Sequence, residues 1–153
     1  MAKAVPASLA LVCALAFAGA PALAQAADAK MKKLVAEQAE ETAKPIGEIQ
    51  TGKLAEDGTA TFSFPIERGK TYWVYAACDG CDDINLEGKN QRGDVLDQDE
   101  EKDDTDPVLL VSDRFSTRLD VTIEMKDCGR QECAFGLGLY ESALVWPGGP
   151  PQQ

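Results

Sequence analysis

Two stretches of this chain alternate apolar and polar residues with a period of two, and no other feature narrows the fold as much. Thr59 to Pro65 sets Ala60, Phe62 and Phe64 against Thr59, Thr61 and Ser63. Arg118 to Met125 sets Leu119, Val121, Ile123 and Met125 against Arg118, Asp120, Thr122 and Glu124. Successive side chains of a β-strand point to opposite faces, so each run reads as a strand with one buried face. Further candidate strands are Glu48 to Leu54, Thr71 to Ala77, Asp83 to Glu87, Asp94 to Asp97, Pro107 to Val111 and Cys133 to Tyr140. Asp57-Gly58, Arg68-Gly69, Gly88 with Gly93, and Cys128-Gly129 fall between them and supply turn chemistry. About eight short strands, with no helix between them long enough for a crossover, make an all-β antiparallel sandwich or barrel over 46–141. If every connection reverses direction, the loops after alternate strands share one end. Those loops are Ala55 to Asp57, Cys78 to Asp82, Gln98 to Asp106 and Lys126 to Glu132, which would gather four cysteines and much of the acid.

The flanks have a different character. Lys3 followed by the apolar run Ser8 to Ala20 and the small-x-small end Ala22-Leu23-Ala24 reads as a secretory signal over 1–24, cleaved after Ala24 or Ala26. The run is shorter than the ~20 residues that span hydrocarbon, so no membrane insertion is expected after cleavage. Residues 25–45 place Met31, Leu34, Val35 and Ala39 at roughly helical spacing ahead of Pro45, which is expected to end the helix. The stripe is thin and admits either a docked helix or a frayed linker. Residues 142–153, Pro/Gly-rich from Trp146 onward, read as a disordered tail.

Charge and histidine content exclude whole classes of function. The 153 residues carry a net charge of −11 and no histidine. A nucleic-acid backbone or an anionic membrane demands clustered Lys and Arg, so neither is an expected partner. Schemes that pair Ser or Cys with His are closed, as are His-ligated zinc sites. Once the signal with Cys13 is removed, Cys78, Cys81, Cys128 and Cys133 remain, an even number in an exported chain. Of the three possible pairings, Cys78 to Cys81 with Cys128 to Cys133 pins two tight loops, and spacing alone leaves cross-pairing open.

The order of these signals resembles a known family. Gly52-Lys53-Leu54, Asp57-Gly58, Phe62-Ser63-Phe64, Arg68-Gly69-Lys70-Thr71-Tyr72, Asp83-Ile84-Asn85-Leu86, Gly93-Asp94-Val95-Leu96-Asp97, Asp103-Asp104 and Pro107-Val108-Leu109 are similar to the bacterial pre-peptidase C-terminal domain, over about Ile46 to Glu141. The resemblance implies a jelly-roll-like β-sandwich of the kind appended to secreted enzymes, some relatives binding calcium and protein or polysaccharide surfaces. The chain has Asn85 where that family often has Asp. It has Ser116-Thr117-Arg118 where Gly-x-Tyr is usual.

Three constellations have chemistry to offer. Asp94 to Asp106 holds Asp94, Asp97, Asp99, Glu100, Glu101, Asp103, Asp104 and Asp106 against the single base Lys102. Calcium takes six to eight oxygen ligands, so Asp97, Asp99, Asp103 and Asp104, joined from the side by Asp83 and Asn85, form a candidate site. Lys102 and Val108 occupy the positions where an EF-hand needs Gly and Glu, so the loop is no EF-hand. Its alternative role is that of a solvated acidic loop. Cys78-Asp79-Gly80-Cys81 echoes a dithiol oxidoreductase, but the following residues are too short and turn-rich for the helix whose dipole activates such a thiol. Trp73 and Tyr75 share one strand face, opposite Tyr72 and Val74; one of these faces is core, and the other forms either an aromatic platform or a surface covered by a neighbouring segment. The expected function is therefore an exported, periplasmic or secreted, non-enzymatic binding or stabilising module, with Ca²⁺ as its one candidate cofactor. The alternatives are a periplasmic dithiol oxidoreductase and a structural envelope protein without a discrete ligand.

Overall fold

The computed structural model describes residues 22–39 and 41–143, so the signal-like segment up to residue 21 and the tail from 144 lie outside the described residues. One helix, α1 (Ala22–Gln38), precedes nine strands: β1 (Lys44–Pro45), β2 (Gln50–Leu54), β3 (Thr59–Pro65), β4 (Thr71–Asp79), β5 (Cys81–Asn90), β6 (Val95–Asp99), β7 (Val108–Ser112), β8 (Arg118–Cys128) and β9 (Cys133–Glu141). All pairings are antiparallel. One sheet runs β9-β4-β7 with β1 and β2 both on the outer edge of β9, and the other runs β3-β8-β5-β6. Consecutive strands from β2 onward change sheets at every step except the β5–β6 hairpin, which is the wrapping of a jelly roll.

Period-two patterning builds the core. Leu119, Val121, Ile123 and Met125 are fully buried on the inner face of β8, and Phe64 joins them from β3. Val74, Ala76, Leu109, Val111, Leu137 and Leu139 answer them from the other sheet. Strands β4, β5 and β8 run further than the alternation reveals, because cross-strand pairing continues through polar positions such as Asp83, Lys89 and Asp127. The segment read as a loop from Cys78 to Asp82 is thereby reduced to Gly80 between two strands, and Gln98 belongs to β6 rather than to the acidic loop.

The N-terminal segment is a docked helix. Its sequence contains no Gly or Pro and is rich in Ala. Met31 and Val35 lie buried against the outer face of β9, where Gly136 and Gly138 provide the room. Pro45 does not end this helix: α1 stops at Gln38, and Pro45 instead pairs with Tyr140 at the sheet edge, a position that needs no backbone donor from proline. Both expected cleavage points fall in the first turns of α1, ahead of Met31 and Val35, so cleavage at either retains the docking residues.

Candidate functional site

Alternate loops do meet at one pole of the sandwich. The β2–β3 turn is tied to β8 by Asp57 N donating to Met125 O (2.7 Å) and by Met125 N donating to Gly58 O (2.9 Å). The β6–β7 loop is tied to the β4–β5 corner by Cys78 N donating to Thr105 O (3.0 Å) and Ile84 N to Asp104 O (2.9 Å). At that corner Gly80 has φ 78°, and the Arg130 guanidinium from the β8–β9 loop fills the space a Cβ would take. Glycine adopts that φ at no steric cost and leaves the guanidinium its place.

All four cysteines of the described residues sit here. Cys78 is bonded to Cys81 and Cys128 to Cys133, with Cα atoms 6.0 and 5.9 Å apart. Cys81 and Cys128 face each other in register across β5 and β8, so the two bridges are neighbours. Cys133 Sγ lies 2.8 Å from the carbonyl oxygen of Gly80. Cys78 lies in β4 and Cys81 opens β5, so strand rather than a helix N-terminus surrounds the Cys-x-x-Cys pair. Lys30 of α1 reaches Asp79 between them at 2.8 Å.

The six residues proposed as cation ligands divide. Asp97 and Asp99 turn toward the outer edge of β7, the last strand of its sheet, where Asp97 Oδ2 accepts from Leu110 N (2.8 Å) and Asp99 Oδ2 from Val108 N (3.0 Å). Their second oxygens accept from Gln98 N (3.0 Å) and Glu101 N (3.2 Å). These carboxylates therefore join the two sheets and cover an edge that would otherwise present bare donors. No period-two pattern signals this role; an acid at alternate positions of an edge strand is the only trace of it. Asp103 is exposed at φ 63°, with Lys102 Nζ 3.9 Å from its Oδ2. Asn85 lies opposite Glu124 on the outer face of the β3-containing sheet, two residues along the strand from Asp83.

Asp83 and Asp104 do come together, with Asp99 and Asp106 beside them. Desolvation pushes the Asp104 carboxyl above the usual aspartate range, the Asp106 N–H opposes that rise, and the negative charges of Asp99, Asp106 and Asp83 add to it. Asp83 Oδ1 is buried without a hydrogen-bond partner. Among the described residues no group of three or more Cys, Asp or Glu side chains stands in ligating geometry for a metal ion.

The aromatic face of β4 is a covered surface rather than a platform. Tyr75 is buried beneath α1 and stacks on Trp73 with centroids 6.1 Å apart, while Tyr140 meets it edge-on at 5.6 Å. No helix among the described residues is long and apolar enough to cross a membrane. Compared with known proteins, the chain matches no protein-family model and no curated protein.

Proposed function

We propose that this protein is an exported, non-enzymatic module that presents its cystine-bound acidic pole to a protein or polysaccharide surface, with Ca²⁺ taken up beside Asp83 and Asp104. The observation that carries the reading is the pairing of an unpartnered, buried Asp83 Oδ1 with an Asp104 carboxyl crowded by acids. Like-charged carboxylates drawn out of water destabilise a fold unless a cation or a proton offsets them. A hard divalent ion with flexible coordination suits oxygen donors set on a loop and an adjoining strand. Two disulfides support export. The resemblance to pre-peptidase C-terminal domains supports an accessory binding role.

The test is a thermal melt of the purified protein in millimolar Ca²⁺ and in chelator. A ligand that binds only the folded state raises the melting temperature by mass action, so the parent should melt higher with Ca²⁺ and Asp83→Asn/Asp104→Asn should not respond. Identical melts of the parent in both conditions would remove the cation, and turnover of a disulfide substrate through Cys78 and Cys81 would remove the non-enzymatic reading.

A further inference from the structure

The pole opposite the disulfides is a rigid platform for an exposed phenylalanine. Asn90, 2% exposed, donates through Nδ2 to Asp94 Oδ2 (2.9 Å) and Asp113 Oδ2 (3.3 Å), and its Oδ1 accepts from Arg92 N (2.9 Å) and Asp94 N (3.0 Å). Asp113 in turn accepts from Phe115 N (2.8 Å) and from Ser116 Oγ (2.5 Å), and Gly69 N donates to its carbonyl (3.0 Å). Gln91 Oε1 accepts from both Thr117 N (3.3 Å) and Thr117 Oγ1 (3.1 Å). Three loops are thus locked into one body, and at its tip Phe115 is 69% exposed. Val95, 47% exposed, lies beside Asp94 on the same pole, and these two are the large exposed hydrophobics of the described residues. A backbone held this firmly loses little further freedom on binding, and aromatic residues and Arg are enriched at protein interfaces. Exposed Arg68 and Arg114 flank the tip.

The other pole carries a recess. An open depression of ≈ 360 Å³ lies between α1 and the β6–β7 loop, with Leu34, Ala77 and Cys78 as apolar lining and Glu37 and Asp106 as acidic lining. Gln38 and Thr105 complete it. Glu100, Glu101 and Asp103 extend the negative charge along the adjoining loop. Ten residues of β5 at ~3.3 Å each separate the poles by about 30 Å, several times the Debye length of ~8 Å at physiological salt. Each pole therefore meets a partner through its own charge rather than through the net charge of the molecule.

We infer that a second copy of this chain docks head to tail, Phe115 of one molecule entering the Leu34–Ala77 recess of the next while Arg114 and Arg68 face Glu37 and Asp106. The contact joins different surfaces, so it propagates as an open chain and does not close on a two-fold axis. A tip-to-tip pair is disfavoured because it would set Arg68 and Arg114 against their own copies. The inference is independent of calcium, and the measurement is made in chelator.

Sedimentation velocity over rising concentration tests it. The parent should associate at low salt and return toward monomer in about 0.5 M NaCl, where the Debye length falls to a few ångströms. Phe115→Ser, altered at an exposed side chain, should melt as the parent does and remain monomeric. Glu37→Lys/Asp106→Lys should also remain monomeric. Mixing these two variants should give one-to-one pairs and nothing larger, because each keeps one intact half of the contact. A parent that stays monomeric at every concentration in low salt would overturn the inference. So would Phe115→Ser associating as the parent does, or Glu37→Lys/Asp106→Lys associating alone, which would mean a tip-to-tip contact.

Discussion

Asp97 and Asp104 belong to the same acidic stretch, yet their surroundings make them opposites. Asp97 accepts two backbone N–H groups, one of them across the gap between the sheets. Asp104 accepts one, from Asp106, and its other neighbours are acids. Nothing in residue type distinguishes them; the β7 edge that claims Asp97 exists only once the two sheets are stacked. Because the Asp104 carboxyl is raised, chiefly by desolvation, the folded chain holds that proton more tightly than the unfolded one. Its contribution is fully present below the ordinary aspartate value and is lost as pH rises through the raised one. Asp113 and Asp120 behave in the reverse sense. Ser116 and Ser63 respectively donate the hydrogen bonds that most depress them, so their contribution stands above the ordinary value and is lost as pH falls through the lowered one. Asp104→Asn, measured in chelator, should therefore raise the urea midpoint at neutral pH. The gain should be no more than about 1 kcal/mol, since the side chain is only half-buried. It should vanish in acid, where the parent carboxyl is protonated. A variant less stable than the parent at pH 7 would show that Asp104 is held by contacts rather than strained by its neighbours.

Helix α1 and strand β9 specify each other through small residues. In Phe135-Gly136-Leu137-Gly138-Leu139 the large residues fill the core and the glycines lie on the outer face. A Cβ on Gly138 would stand 2.8 Å from Val35 Cγ1 and 2.8 Å from Tyr140 Cε2, and one on Gly136 would stand 2.9 Å from Val35 Cγ2. The alternation that marks β3, β8 and the inner half of β9 is legible in the sequence because water and core impose it residue by residue. The seat for α1 is not, since a glycine on an outer face looks the same whether a helix or solvent lies above it. For the same reason Met31 and Val35 suit a docked helix and a frayed one equally until β9 is placed. Gly138→Ala should cost about 1–3 kcal/mol by overpacking. Hydrogen exchange should show why: amides of α1 should lose protection while those of β8, buried between its neighbours, keep theirs. Unchanged exchange in α1 would mean that the sheet, not the helix, yields.

At the scale of the molecule, reversal of direction from strand to strand sorts the loops into two poles, and that much follows from counting strands. The gathering of cysteine and acid at one end is therefore legible in the sequence. The Asn90-centred pole is not, because a buried asparagine and an exposed phenylalanine carry no periodic signal. The two poles are fixed by different means, covalent at one and hydrogen-bonded at the other. Cys78–Cys81 and Cys128–Cys133 close short loops, separated by 3 and 5 residues, for which the chain-entropy account gives about 2 kcal/mol each. Full reduction should accordingly lower the melting temperature while leaving a folded sandwich, since most of the side chains that β4, β5, β8 and β9 bury in the core are not cysteines. The loss should also be local. Cys78 N holds Thr105 O and Arg130 packs on Gly80, so loosening the bridged corner frees the β6–β7 and β8–β9 loops. The Gly69, Asn90 and Asp113 contacts share no atom with that corner. Hydrogen exchange under reductant should therefore accelerate at 100–106 and 129–132 and stay unchanged at Arg92, Asp94 and Phe115. Equal acceleration at both ends would mean that the bridges act by lowering the entropy of the unfolded ensemble as a whole and do not hold one pole in particular.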